Sequence, residues 1–383
     1  MVARVQVKGE MLAWARARSG LPFDALAQRF PKLPEWESGD TSPTLRQLED
    51  FARATHMPVG FLLLPAPIVE ALPIPDFRTM GGTAVGTPSP DLLDTVLQCE
   101  QRQEWYRSYA QTNREEAVRF VGSLTLGTDI EEAGAVIRRT LAFEIEDRGP
   151  TWSEALVRLV AKAEDQGVLV MVSGVVGSNT HRKLDPQEFR GFALADPLAP
   201  LIFVNGADSK AAQIFTVAHE LAHLWIGESA LSDARLDVMP TNTVERWCNH
   251  VAAEVLVPRR ALRDNFDPAG DLTEELTRLA RLFKASTLVV LRRLHDAEYL
   301  SFDAFRAAYV AELDRVMALI EGSAGEGGGN FYYTQPARMS KRFTRSIVAS
   351  ALEGQTLYRD AFQMLGFKKQ KTFDQLAQHL GLR

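Results

Sequence analysis

Cysteine is almost absent: Cys99 and Cys248 are the two in 383 residues, and they lie far apart in the chain. A disulfide framework and a cysteine-rich zinc finger are therefore excluded, and any metal must be held by histidine and carboxylate. Long apolar runs are also missing. The stretch MVARVQVKGEMLAWARARSG has scattered charge and no apolar signal core, and no run elsewhere approaches a membrane span. The sequence thus reads as a cytoplasmic protein without membrane association. Compositional bias is lacking too: 46% hydrophobic and 24% charged residues exclude collagen-like, low-complexity and wholly disordered chains. At roughly 150 residues per domain, two or three domains are expected.

Charge is modest but unevenly placed. The net charge is −6, yet from Thr334 onward nine Lys/Arg face three acids, so this tail carries +6 and the rest of the chain −12. That asymmetry fits either a contact for nucleic acid or acidic protein, or a solvated basic helix face.

Periodicity predicts an α+β protein that is mainly helical. Residues 8–64 read as short helices, the last starting at a cap formed either by Thr44 with Gln47 or by Ser42 ahead of Pro43. The Pro/Gly-rich stretch LPAPIVEALPIPDFRTMGGTAVGTPSP breaks helix and sheet and marks a boundary. A polar helix is expected from about Asp91 to Phe120, then helices around Glu131–Phe143 and Thr151–Asp165. GVLVMVSGVV reads as a strand, and FRGFALADPLAPLIFVNG as two strands joined by a turn at Asp196 and Pro197. A helix over Ser209–Ile226, a polar loop (GESALSDARLDVMPTN) and a helix over Thr243–Val257, ended by Pro258, come next. Helices over Thr273–Phe283, Ser286–Glu298 and Phe302–Ile320 follow, then the break GSAGEGGGN and a helical tail. The domains expected are 1–66 (helical), 67–150 (linker and helical connector), 151–300 (a domain with a small sheet) and 301–383 (helical, with the basic tail).

Within QIFTVAHELAHLWIG stand His219, Glu220 and His223. Four residues of α-helix turn 400°, so both imidazoles leave one face a turn apart and can grip one ion. Glu220 is placed to take a proton from a water whose pKa a metal lowers, giving a nucleophile for a polarised peptide carbonyl. The residues around the motif are uncharged from Thr216 to Trp225, as expected of a helix buried beneath a cleft. A tetrahedral site needs a third protein ligand. Ile226 and Ser229 stand where a metzincin would have Gly and His, which excludes that arrangement. The remaining candidates are Glu245, Cys248, His250 and Glu254, all on the following helix. Glu254 lies half a turn out of phase with Glu245, so one of the two carboxylates can face the ion, and the small Ala252 favours the Glu245 face. Cys248 reads as a buried packing residue.

The order of these elements, His-Glu-x-x-His followed by Glu245-Arg-Trp-Cys248-Asn249 and AAEVLVP, resembles the ImmA/IrrE family of bacterial metallopeptidases over roughly Ala155–Val257. The resemblance puts the third zinc ligand on Glu245. It implies a gluzincin-like zinc endopeptidase that cleaves helix-turn-helix repressors in stress responses or mobile elements. An exposed edge strand would suit such a task, since it can hold an extended peptide by main-chain hydrogen bonds. Candidates for stabilising an oxyanion are Tyr332, Tyr333, His250 and Arg190.

The first sixty residues resemble an XRE-type helix-turn-helix domain, through LAWARARSGLPFDALAQRF and the WE-x-G-x-x-x-P-T run at Trp36–Thr44. Only eight residues separate Ala27 from Trp36, fewer than such domains use, and Pro31 and Pro34 fall where a recognition helix should begin. Eight basic residues up to Arg53 are offset by seven acids, which argues against tight DNA binding. This domain is expected to bind DNA or to dock on a repressor-like partner. Two functions follow: a zinc endopeptidase acting on a helix-turn-helix repressor or antitoxin-like protein, or a non-enzymatic DNA- or toxin-binding regulator with a structural metal. Glu220 separates them, because a structural site needs no general base and usually closes its fourth position with Cys or His.

Overall fold

A computed structural model describes residues 4–68, 71–77, 88–232, 242–322 and 338–383. The chain divides into two compact units, Met1–Pro73 with Gly86–Val96, and Ile74–Val85 with Leu97–Arg383.

The first unit contains helices α1 (Gly9–Ser19), α2 (Phe23–Arg29), α3 (Leu33–Ser38) and α4 (Leu45–Ala54), followed by a 3-10 turn at Val59–Leu63. Leu12, Leu26, Leu33, Trp36, Leu48 and Phe51 form its core. Thr44 is the cap of α4: its hydroxyl accepts from Gln47 N while the Gln47 side chain accepts from Thr44 N. The prolines permit a helix here. Pro34 lies in the first turn of α3, where a missing N–H costs no intrahelical bond, although the helix is only six residues long.

Helix α5 (Pro90–Thr112) starts in the first unit and belongs to the second from Leu97, where α6 (Ile130–Leu141) and α7 (Trp152–Asp165) lead into β1 (Leu169–Ser173), β2 (Gly191–Leu194) and β3 (Leu201–Asn205). Then come α8 (Lys210–Ile226), β4 (Ala230–Ser232) and α9 (Thr243–Leu256). The sheet order is β1-β3-β2-β4, with β1 parallel to β3 and both β3 and β4 antiparallel to β2. The expected β2–β3 turn is present, and Asp196 Oδ1 fixes it by accepting from Leu198 N and Ala199 N, each at 2.8 Å. The stretch read as a polar loop contributes β4, whose three residues are all buried. Every residue of β2 and β3 is buried as well, so these strands read as apolar runs rather than alternating ones.

Helix α8 is capped by Ser209, and every residue from Gln213 to Trp225 is buried. It shares a core with α6, α7 and α9, to which Ile137, Leu141, Leu159, Val204, Leu221, Val251 and Val255 contribute. Helix α6, read from the sequence as part of a connector, therefore packs in the same core as the helices bearing the metal motif. Helix α5 stops at Thr112 rather than running to Phe120. The chain turns at Arg114 (φ 55°), and the next residues cross the C-terminal end of α8. There Gly122 N and Leu124 N donate to Leu224 O and Trp225 O at 3.0 and 2.9 Å, and Phe120 stacks on Trp225 at 3.8 Å. The crossing chain thus gives the Trp225 carbonyl a donor at the helix end and the Leu224 carbonyl, which also accepts from Gly227 N, a second one.

Helices α10 (Arg259–Asn265), α11 (Leu272–Phe283), α12 (Thr287–Asp296) and α13 (Phe302–Gly322) follow. Pro258 ends α9 as expected but is also the N-cap of α10, which its fixed φ suits. Fully buried Arg148 donates to the carbonyls of Val255, Leu256 and Phe283, joining the C-terminal ends of α9 and α11. The tail forms α14 (Lys341–Leu352), α15 (Tyr358–Leu365) and α16 (Gln370–His379). Its aromatics pack: Phe343 and Phe373 are buried, and Phe373 meets Tyr358 and Phe362 edge-on or tilted. Part of its basic charge is paired, Arg342 with Glu115 at 2.9 Å and Arg383 with Asp374. Among the described residues no helix is long and apolar enough to cross a membrane.

Candidate metal centre

Helix α8 presents His219 and His223 one turn apart, and α9 brings Glu245 to them from its first turn. Glu245 Oε2 lies 3.3 Å from His219 Nε2, Glu245 Oε1 lies 3.1 Å from His223 Nε2, and the two Nε2 atoms are 3.2 Å apart. All three side chains are buried. Among the described residues they form the group of histidines and acids whose ligand atoms converge closely enough to hold a metal ion. Both Glu245 oxygens are buried without a well-formed hydrogen bond. Two buried carboxylate oxygens without donors, facing two imidazole nitrogens, are what a cation would complete, and two nitrogens with one carboxylate suit zinc.

The electrostatics of the cluster agree. Burial pushes the Glu245 carboxyl up, but the charge of His219 and hydrogen bonding to both imidazoles outweigh it and hold the pKa down at about 2. Burial opposes the charged form of His219, yet Glu245 raises its pKa overall, with support from Asn249. For His223, burial prevails over Glu245 and lowers the pKa.

Glu220 is fully buried beside the cluster, and burial pushes its carboxyl up to about 8, a shift that a cation held by the cluster would oppose, favouring the carboxylate form. Ser232 Oγ donates to Glu220 Oε2 at 3.3 Å and lies 3.3 Å from His223 Nε2. Glu220 Oε1 has no hydrogen-bond partner. Space for it comes from Gly191, where an added Cβ would stand 2.5 Å from Thr216 Cγ2, 2.7 Å from Phe203 O and 3.0 Å from Glu220 Oε1. Gly191→Ala should therefore destabilise the protein by about 1–3 kcal/mol through overpacking, read as a lower urea midpoint at unchanged slope. An unchanged midpoint would show that the strand can shift freely.

The other sequence candidates lie apart from this cluster. Glu254 is paired with Arg293 and, at 3.7 Å, with Arg138, and it accepts from Arg259 N. His250 is partly exposed and lies 3.7 Å from Asp296. Cys248 is fully buried and packs in the core. Arg190 pairs with Asp208 at 3.2 Å, and Tyr332 and Tyr333 lie outside the described residues. Sequence reasoning missed three groups around the centre. Ser232 was hidden in the supposed loop, Gly191 carries no chemistry of its own, and Phe77, whose ring stacks 6.3 Å from the His223 imidazole, stands in the proline-rich stretch.

Comparison with known proteins agrees with this geometry. Residues 163–295 match the IrrE N-terminal-like domain, a peptidase family, and residues 339–379 match a domain of unknown function. The radiation response metalloprotease IrrE of Deinococcus radiodurans is 28% identical over 159 residues, which cover 37% of this chain and 48% of that protein. The chain thus spans about half the length of the curated relative it matches. These matches support the ImmA/IrrE family and a metallopeptidase role for the region that holds His219, Glu220, His223 and Glu245.

Proposed function

We propose that this protein is a gluzincin-like zinc endopeptidase in which His219, His223 and Glu245 hold the metal and Glu220 is the general base. The observation that carries the reading is the convergence of the two imidazoles and the Glu245 carboxylate in a buried site where neither Glu245 oxygen has a donor. Zinc, when bound, supplies Lewis acidity for a peptide carbonyl and lowers the pKa of water. The chain supplies the rest. Glu220 accepts and returns the proton at its carboxylate, Ser232 Oγ orients that carboxylate, and the buried walls of α8 and β2 exclude bulk water. A fully buried glutamate with one unpartnered oxygen beside the ligands weighs against a non-enzymatic regulator with a purely structural metal.

The substrate in this reading is a helix-turn-helix repressor or antitoxin-like protein, and the setting is gene regulation in a stress response or mobile element, in the cytoplasm. The XRE-like unit at 1–66 would recognise that partner or DNA, the domain at 151–300 would carry the chemistry, and the region 301–383 would follow as a helical module.

Elemental analysis tests the ligand set. The protein purified without added metal should hold about one zinc per chain. Glu245→Ala should lose it. Glu254→Ala should keep it, while taking from buried Arg293 its nearest carboxylate and leaving it Asp296 at 3.9 Å and the Val257 carbonyl, at a cost of about 3 kcal/mol. Zinc retained in Glu245→Ala, or lost equally in both variants, would break the assignment.

A further inference from the structure

Strand β4 is the edge of the sheet beside the metal cluster, and its outer side is already paired. Leu231 N donates to Pro75 O at 2.9 Å, and Asp76 bridges Leu231 in parallel register. Ile74 is 8% exposed and anchors the segment, while Phe77 lays its ring against His223. The next residue along β4, Ser232, holds Glu220. An extended chain lying on this edge is therefore within two residues of both a candidate metal ligand and the candidate base. An open sheet edge takes an added strand through main-chain hydrogen bonds, with side-chain contacts giving selectivity.

We propose that Ile74–Phe77 is a built-in occupant of the peptide-binding edge, a substrate-like strand that another chain must displace to reach the centre. The inference deepens the peptidase reading and rests on it for its functional meaning. The occupant is suited to leaving. Pro73 and Pro75 have no amide hydrogen, so the segment cannot complete a ladder along β4. What holds it includes the Leu231–Pro75 backbone hydrogen bond, the burial of Ile74 and the Phe77 ring. It also outlines the partner that would replace it: an extended peptide with an aromatic side chain two residues after the carbonyl that meets Leu231 N.

The test uses the full chain and the fluorescein-labelled peptide ALPIPDF, which repeats residues 71–77. Phe77→Ala protein should bind this peptide about fivefold more tightly than the unaltered protein, and Phe77→Leu should fall between them. A peptide ending in Ala in place of Phe should lose the advantage. Amide exchange at Leu231 should quicken in Phe77→Ala and slow again when the peptide is added. Zinc content and near-ultraviolet circular dichroism of each variant report that the fold is intact. Equal peptide affinity for the unaltered and Phe77→Ala proteins, or Leu231 exchange indifferent to the substitution, would overturn the proposal. Neither readout requires cleavage, so a protein without zinc would sink the peptidase reading and leave this one to be judged by its own data.

Discussion

Glu220→Gln is expected to keep its zinc and to lose cleavage by about a hundredfold to ten-thousandfold, the usual worth of a positioned general base. The substitution keeps the size and shape of the side chain, so the confined space made by Gly191 remains filled and Ser232 Oγ retains an oxygen to meet. What changes is the ability to carry a proton. Glu220 is not among the three groups that converge as ligands, so metal content should not follow activity. Zinc stoichiometry and a timed cleavage assay on a helix-turn-helix repressor, made on the same preparations, read the two separately. Wild-type cleavage rates in Glu220→Gln would move the base elsewhere.

Arg148→Met should cost about 3–5 kcal/mol, a large share of the stability of an ordinary domain. The fully buried guanidinium donates to Phe283 O at 2.6 Å and Val255 O at 3.0 Å, and also to Leu256 O, and it lies 5.1 Å from the Phe143 ring. Burial, reinforced by the charge of Arg138, pushes its pKa down to about 9, so it still carries its charge at neutral pH. Methionine fills part of the volume but donates nothing, leaving helix-terminal carbonyls buried without partners. The cation also faces the negative ends of α9 and α11, an interaction methionine forfeits. Urea unfolding followed by circular dichroism measures the loss. A change under about 1 kcal/mol would mean that water reaches those carbonyls.

What could be read in the sequence was local in origin. His219, Glu220 and His223 were legible because helical spacing alone decides that two residues four apart share a face. The β2–β3 hairpin was legible because Asp196 and Pro197 interrupt two apolar runs, and the cap of α4 at Thr44 with Gln47, one of the two that the sequence offered, follows the same logic. Glu245 was chosen over Glu254 by helical phase and by resemblance, and the structure shows the physical reason for the difference: Glu254 is committed to Arg293 and Arg138. The failures were non-local. Three-residue β4 has no pattern of its own and exists through pairing with β2. Glu115, Glu116 and Ala117 are good helix formers, yet α5 ends before them because their chain is needed across the end of α8. Phe77 sat in a stretch whose prolines announce irregular backbone and say nothing of where it goes.

The pairing of Gly122 and Leu124 with the last carbonyls of α8, and the stacking of Phe120 on Trp225, bear on how such a peptidase domain can be inherited. The matched family region begins at residue 163. The support for its central helix begins some forty residues earlier, and Arg148, which ties α9 to α11, also precedes it. A recombination event that transferred only the matched region would deliver the candidate metal ligands with the end of their helix uncovered and the junction of α9 and α11 undone. The portable unit is longer than the recognisable one, so the stretch before the motif must travel with it even where its sequence carries no signature.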